Sequence, residues 1–446
     1  MDKLTVFEFD EISIGEGEKQ LKKSDFDLLK GFILPTSDKE TEQEDVDIIT
    51  DASVCMSLGA KGGKEVIRVK NYVGIVSLKS GTVIEVLPKI ADKSTKAEIP
   101  FARKLVVEML KSCGKIPYKS FQMAKLSFDN MNLYEIYIRL FLDELNKLYK
   151  KGLKAGYIPH EDNENFLKGK LIFSEHIKRN FAHKEKFYVG YDEFSFDRVE
   201  NRLIKSTLLY LKNKSKDEAN KRDIRRMLLI FEDITPSKNY DGDFAKCGTD
   251  RTVKDYSDIL LLCKVFLHKK SFTMYGGNNE ATALLFPMDR LFESYIAEQM
   301  VPVAYSYSWS LNKQDRGRYL FGEKRNGKFP LRPDIVLESD KEVIIIDTKW
   351  KRLYNDPKSN YGISQADMYQ MYAYHTRYDD VKKVVLLYPY YEYFKAEDYT
   401  TEVGDKQVII QIRTFDLRGY IEGGQSFERC IKHDNCIFGE VGSIRA

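Results

Sequence analysis

Leu331-Arg332-Pro333-Asp334-Ile335-Val336-Leu337-Glu338 is followed by Ser339-Asp340-Lys341-Glu342 and then by Val343-Ile344-Ile345-Ile346-Asp347-Thr348-Lys349. Two apolar runs of strand length around a polar turn predict a β-hairpin. With the turn centred on Asp340-Lys341, Asp334 lies directly opposite Asp347 on one face of the sheet. Strand periodicity places Lys349 on that face too, two residues beyond Asp347. Two neighbouring carboxylates repel unless a cation neutralises them, and a pair of hard oxygen ligands suits Mg²⁺. A lysine beside them can hold or polarise a water or a phosphate. A plainer reading competes: charged residues also gather where a strand ends and meets solvent.

The flanking segments bear on that choice. Ser364-Gln365-Ala366-Asp367 is an N-cap with an acidic third position, and it opens a helix through Met368-Tyr369-Gln370-Met371-Tyr372-Ala373-Tyr374-His375. Gln370 and Tyr374 are four apart and share one face. Tyr369, Tyr372 and Tyr378 are expected to pack on the sheet. Upstream, Phe286-Pro287-Met288-Asp289-Arg290-Leu291-Phe292-Glu293-Ser294-Tyr295-Ile296 predicts a helix with proline near its first turn. Leu291, Phe292, Tyr295 and Ile296 form its apolar stripe, with Glu293 at the edge. Lys383–Pro389 and Gln407–Arg413 read as further strands, giving an α/β layer with a mixed sheet.

Pro333-Asp334, then Asp347-Thr348-Lys349 after a hydrophobic strand, resembles the PD-(D/E)xK nuclease superfamily. The downstream pair Gln370 and Tyr374 resembles its RecB-like branch. The resemblance implies that Asp334 and Asp347 ligate Mg²⁺, with Glu293 nearby or through water. It implies that Lys349 orients or activates a water, and that Gln370 and Tyr374 orient the site or touch the DNA backbone.

The 446 residues suggest two or three domains. A hydrophobic share of 43% provides for folded cores, and 31% charged residues with a mean hydropathy of −0.44 point to a soluble chain. No apolar run reaches the length of about 18 residues that a bilayer span needs. The start, Met1-Asp2-Lys3-Leu4, lacks a basic segment followed by an apolar core, so a cytoplasmic location is expected. The six cysteines form no Cys-x-x-Cys pair, which fits reduced thiols. Cys430, His433 and Cys436 are spaced like metal ligands but lack an obvious fourth partner.

Lys and Arg number 71 against 68 Asp and Glu, a formal charge of +3, so any contact with nucleic acid must come from local clustering. One cluster precedes the hairpin: Lys313, Arg316, Arg318, Lys324, Arg325, Lys328 and Arg332, against Asp315 and Glu323. It reads equally as a phosphate-tracking loop or a solvated one.

The expected fold class is mixed α/β in three segments. Residues 1–96 form a β-rich N-terminal domain, with strands at 66–69, 72–78 and 82–87 curled into a barrel or sheet and a polar, acidic loop at 36–50. Residues 97–275 are mainly helical, with helices at 98–112, 132–151, 198–212, 218–231 and 255–268 and a strand-like connector at 187–195. Residues 276–446 form a restriction-endonuclease-like α/β domain of PD-(D/E)xK type, entered through Gly276-Gly277-Asn278-Asn279. Lys61-Gly62-Gly63-Lys64 lacks the rest of a Walker A loop, so nucleotide hydrolysis is not expected of this chain.

Three separated pieces resemble the McrC family, the nuclease subunits of McrBC-type and LlaJI-type restriction systems. They are the hairpin Val73-Gly74-Ile75-Val76 through Ile84-Glu85-Val86-Leu87-Pro88-Lys89-Ile90; the central string Leu167-Lys168-Gly169-Lys170-Leu171, Tyr191-Asp192-Glu193-Phe194-Ser195-Phe196-Asp197 and Glu200-Asn201-Arg202-Leu203-Ile204-Lys205; and Leu291-Phe292-Glu293 with Pro333-Asp334 and Asp347-Thr348-Lys349-Trp350-Lys351. The resemblance spans about residues 64 to 415. It implies a phage-defence DNA endonuclease that works with a separate McrB-like AAA+ GTPase, docks through its N-terminal part, stimulates GTP hydrolysis on that partner, and cuts double-stranded DNA as a dimer through the nuclease domain. Two other readings stay open: a non-catalytic GTPase activator that bridges motor rings, and a stand-alone RecB-like exonuclease.

Overall fold

A computed structural model describes residues 3–33, 55–89, 96–112, 131–183, 185–247, 255–267, 281–322, 327–391, 394, 398–403 and 406–432. The acidic loop at 36–50, the joint at 276–279, Glu323, Lys324 and Arg325 of the charged cluster, and His433 and Cys436 lie outside these residues. The fold is mixed α/β. The chain divides into two compact units, one taking the described residues up to 112 and from 281 onward, the other those from 131 to 267.

The first unit is built on a seven-stranded sheet. Its strands run in the order Ser310–Lys313, Ile335–Glu338, Val343–Thr348, Val381–Pro389, Lys406–Phe415, Asp398–Val403, with Ile431–Lys432 also pairing with Lys406–Phe415. The first three strands are antiparallel to one another in turn. Val343–Thr348, Val381–Pro389 and Lys406–Phe415 are mutually parallel. Parallel neighbours need a crossover, and the helix Gln365–Arg377 supplies it. Val336, Ile345, Val384, Leu386, Ile410 and Ile412 from the sheet meet Met371, Tyr374 and Tyr378 in one core.

The N-terminal strands belong to the same unit. Lys3–Phe7, Val83–Leu87, Tyr72–Leu78 and Ala281–Pro287 form one four-stranded sheet; Gln20–Leu21, Glu11–Ile14, Lys64–Val69 and Met56–Lys61 form another. Val6, Ile84 and Val76 share a core with Ile12, Ile67 and Met56, so the region is two sheets on one core rather than a single barrel. Ala281–Pro287 pairs antiparallel with Tyr72–Leu78 over the whole of both strands. Phe286 and Pro287 therefore close a strand. The helix expected from Phe286 begins instead at Met288, whose N–H donates to Asn71 O at 3.2 Å.

The second unit contains helices Leu133–Lys151, Val199–Lys214, Glu218–Ile230 and Ser257–Leu267. Asn132 caps the first by accepting from Glu135 N, and Gly152 ends it at φ 98, where a side chain would be strained. The unit also holds a three-stranded antiparallel sheet, in the order Gly156–Glu164, Phe187–Ser195, Lys170–Leu171. Phe187–Ser195 is the connector expected from sequence. Gly156–Glu164 is a strand where none was expected: it is polar and contains Pro159, which an edge strand tolerates because its outer side needs no N–H donor.

Candidate active site

The hairpin pairs Ile335 with Ile346, Val336 with Ile345 and Glu338 with Val343. That is the register in which Asp334, one residue ahead of the ladder, faces Asp347. Gln314 N donates to Asp334 O at 2.8 Å, which fixes the backbone at this point. Beyond the ladder, Lys349 N donates to Leu387 O at 2.9 Å, so the chain stays pinned to the parallel neighbour as it leaves the sheet.

Asp334 is half-buried. Its Oδ2 accepts two bonds from one residue: Thr348 N at 2.7 Å and Thr348 Oγ1 at 2.8 Å. These bonds orient the carboxyl across the hairpin. Asp347 is 1% exposed, and its Oδ2 lies 2.6 Å from Lys349 Nζ. That contact is an ion pair off the angle of a hydrogen bond, and Oδ2 accepts no well-aligned donor. Lys349 Nζ also donates to Gln370 Oε1 at 3.2 Å, and Gln370 Nε2 donates to Tyr374 OH at 2.7 Å. The ammonium can only donate, so the amide oxygen must face it and the amide nitrogen must face the phenol. A continuous chain of contacts thus runs from Asp347 through Lys349 and Gln370 to Tyr374.

Glu293 sits half-buried on the helix Met288–Ser306, whose Leu291, Phe292, Tyr295 and Ile296 are buried as the apolar stripe predicts. Its Oε1 accepts from Gln314 Nε2 at 2.8 Å. Gln314 thereby links Glu293 to Asp334, using its side chain for one and its backbone for the other. It does so at φ 47, a left-handed conformation costly for a residue other than glycine. Gln314 is a site residue that sequence reading missed. Its position between two strands carries no motif, and only the fold brings it to Glu293.

The helix Gln365–Arg377 starts as expected, with Ser364 Oγ accepting from Asp367 N at 3.1 Å. The asparate side chain turns away to pair with Lys351 Nζ at 2.8 Å. The expected packing of its tyrosines holds only in part. Tyr378 is buried, but Tyr369 and Tyr372 are exposed. Met371, Tyr374 and Tyr378 are spaced three and four apart and take the core face, which turns Tyr369 and Tyr372 outward. Tyr374 is 1% exposed, so it reaches the site through Gln370.

The electrostatics follow from burial. Desolvation first, then the nearby Asp334 carboxylate, push Asp347 up to about 7, with Lys349 pulling the other way. Desolvation and then Glu293 push Asp334 up to about 6, opposed by the two Thr348 donors and by Lys349. Desolvation also raises Glu293, assisted by Asp347 and Asp289 and opposed by Gln314 and Arg290. Burial alone would lower Lys349, but Asp347 and Asp334 outweigh it and leave the amine above its ordinary value. The site is a set of acids that resist ionising together around an ammonium that stays charged. Shifted acids held beside a specific charge partner make this cluster a candidate functional site.

A family model described as McrBC 5-methylcytosine restriction system component matches residues 67–389. The type IV methyl-directed restriction enzyme EcoKMcrBC of Escherichia coli (strain K12) is 20% identical over 244 residues, which cover 51% of this chain and 67% of that protein. In fold, the chain is similar to one in a refined half-complex from a tetradecameric assembly of Thermococcus gammatolerans McrB AAA+ hexamers with bound McrC. The TM-score is 0.64 at 20% identity, covering 93% of this chain and 94% of the other.

Proposed function

Because the chain belongs to the McrBC 5-methylcytosine restriction system component family, we propose that it is the DNA-cutting subunit of such a system. In this reading it is McrC-like, with a PD-(D/E)xK site. It is a Mg²⁺-dependent endonuclease that hydrolyses double-stranded DNA when engaged by a McrB-like AAA+ GTPase, and it stimulates that partner's GTP hydrolysis. The observation that supports it best is the convergence of Asp347 and Lys349 at 2.6 Å beside Asp334, with Gln370 holding the ammonium.

The donor set bears on the metal. Among the described residues, no three acidic, histidine or cysteine side chains close into a ready ligand cluster. Mg²⁺ does not require one: it keeps several waters and is commonly held by one or two carboxylates together with substrate phosphate. Asp334 and Asp347 fit that role. Asp347 Oδ2 is a buried oxygen without a well-aligned donor, and Glu293 lies within electrostatic reach of Asp347. When bound there, Mg²⁺ supplies charge to the scissile phosphate and makes water more acidic.

This chain's own residues do the rest. Thr348 fixes one oxygen of Asp334, and the other stays available to a cation. Lys349 remains an ammonium near neutrality, so it donates to water or phosphate and serves as electrostatic support rather than as a base. Gln370 and Tyr374 keep that ammonium aimed at the acids. Accurate aim matters because small misplacements at a reacting centre are costly. The acid pair favours a phosphate approach only with a cation present, which ties cutting to metal. The reading extends to a cytoplasmic, phage-defence setting and to a dimer through the nuclease unit.

The test mixes the chain with its partner GTPase, GTP and supercoiled DNA. Linear product in Mg²⁺, none in EDTA, and a raised GTPase rate are expected. Stimulated GTPase without any cutting would identify a non-catalytic activator instead. Degradation of linear but not circular DNA without a partner would identify an end-dependent exonuclease.

A further inference from the structure

Strands Arg318–Phe321 and Lys328–Leu331 form a separate two-stranded hairpin that leads directly into Arg332-Pro333-Asp334. Leu331 is buried in the core and Leu320 packs against it. Phe321 takes the opposite side of its strand, as strand alternation requires. It is 61% exposed and Phe329 is 66% exposed, and their rings meet edge to face at 6.1 Å between centroids. Phe329 holds φ 59, an outlier for a bulky residue. Single exposed phenylalanines are ordinary. Two rings in mutual contact, one on a strained backbone, expose apolar surface that folding would have buried at no such cost.

The hairpin is also braced. Arg377 Nε donates to Tyr319 O at 3.1 Å, and Arg318 Nη1 lies 3.2 Å from Asp379 Oδ2. Its base is thus fixed to the end of the helix that carries Gln370. Arg316, Lys328 and Arg332, on or within two residues of these strands, are exposed, and among the described residues no acid pairs with them.

The geometry points to a DNA wedge: Phe321 and Phe329 stack on, or enter between, bases beside the site, while Arg316, Lys328 and Arg332 hold the neighbouring phosphates. This rests on the nuclease reading above and specifies how that site meets its substrate. Apolar side chains that enter a base step unstack and kink the duplex, and rings stack on any base because every base presents a π-face. Exposed cations along the same hairpin, without acid partners among the described residues, suit a polyanion better than an apolar protein groove. The second strand ends three residues before Asp334, so the chain that carries the rings runs straight into the acid pair.

The test uses the full chain in Ca²⁺ with two short duplexes, one fully paired and one carrying a central two-base mismatch flanked by 2-aminopurine. Bases already unstacked spare the wedge its work. Wild type should therefore bind the mismatched duplex more tightly, by about tenfold, and brighten 2-aminopurine. The double variant Phe321→Ala, Phe329→Ala should bind both duplexes alike, without brightening. Phe329→Trp should restore both signals. Arg332→Ala should weaken both duplexes equally and flatten the salt dependence. A double variant that keeps the preference overturns the wedge, as does one that loses only its partner GTPase or its dimer. Cutting in Mg²⁺ with the partner, run in parallel, separates the two ideas. Cutting without mismatch preference removes the wedge alone, and no cutting removes the nuclease reading.

Discussion

Glu8 and Trp350, far apart in the chain, are joined by a buried hydrogen bond: Trp350 Nε1 donates to Glu8 Oε2 at 3.0 Å. Lys89 N donates to the same oxygen at 3.1 Å, and the Trp350 ring packs on Phe292 at 5.3 Å. Trp350 follows Lys349 and Phe292 precedes Glu293. This one indole therefore connects the N-terminal sheet to both elements that carry the site.

The Glu8–Trp350 contact has a pH signature. Glu8 is fully buried, and desolvation, the largest influence, raises it to about 8 despite its two N–H donors. In the unfolded chain a glutamate titrates near 4. A raised folded value means stability is fullest at low pH and falls as pH climbs from about 4 through about 8. Glu8→Gln removes the ionisation and keeps an acceptor for the indole. It should be more stable than wild type at pH 9 and no more stable at pH 5, in urea unfolding. Equal pH dependence in the two proteins would contradict the assignment.

The same bond should be visible optically. The chain has two tryptophans, Trp309 and Trp350. In a Trp309→Phe background, emission from Trp350 should shift to the red in Glu8→Ala, as water reaches the indole. An unchanged spectrum would mean the indole does not depend on Glu8.

Asp334 and Asp347 make a second pH prediction. Both are raised, to about 6 and about 7, from an unfolded value near 4. Metal-free protein should therefore lose stability as pH rises from about 4 to about 7. Mg²⁺ binds the ionised pair, so its stabilising effect should be small at pH 5 and clear at pH 8. Thermal unfolding with and without Mg²⁺ at both values checks this, and Asp347→Asn should abolish the difference. Equal Mg²⁺ stabilisation at both pH values would contradict it.

Gln370 and Tyr374 act by positioning. Tyr374→Phe removes the acceptor of Gln370 Nε2 but keeps the buried ring, so kcat should fall by about tenfold with KM and stability nearly unchanged. Tyr374→Ala empties core volume and should cost about 3–5 kcal/mol of stability. A Phe variant that changes KM alone would mean that the tyrosine meets DNA directly.

The hairpin and its acid pair were legible in the sequence because the signals are local. The turn Ser339-Asp340-Lys341-Glu342 fixes the register, and the register fixes which side chains face each other. Ser364 and the spacing of Gln370 and Tyr374 were legible for the same reason. What stayed hidden depends on residues distant in the chain. Ala281–Pro287 completes a sheet begun at the N-terminus, Gln314 reaches Glu293 only through the fold, and Glu8 finds Trp350 across most of the chain. Gly156–Glu164 was hidden because a polar edge strand with a proline lacks the apolar alternation that announces a strand.

The central claim is that Asp347 and Lys349 serve hydrolysis rather than folding. Its most direct measurement is Mg²⁺-dependent DNA cleavage by Asp347→Ala in complex with the partner GTPase, scored beside the GTPase rate of the same sample. The account predicts that cleavage falls by at least about a hundredfold while GTPase stimulation stays at the wild-type level. Cleavage by Asp347→Ala at the wild-type rate would contradict it.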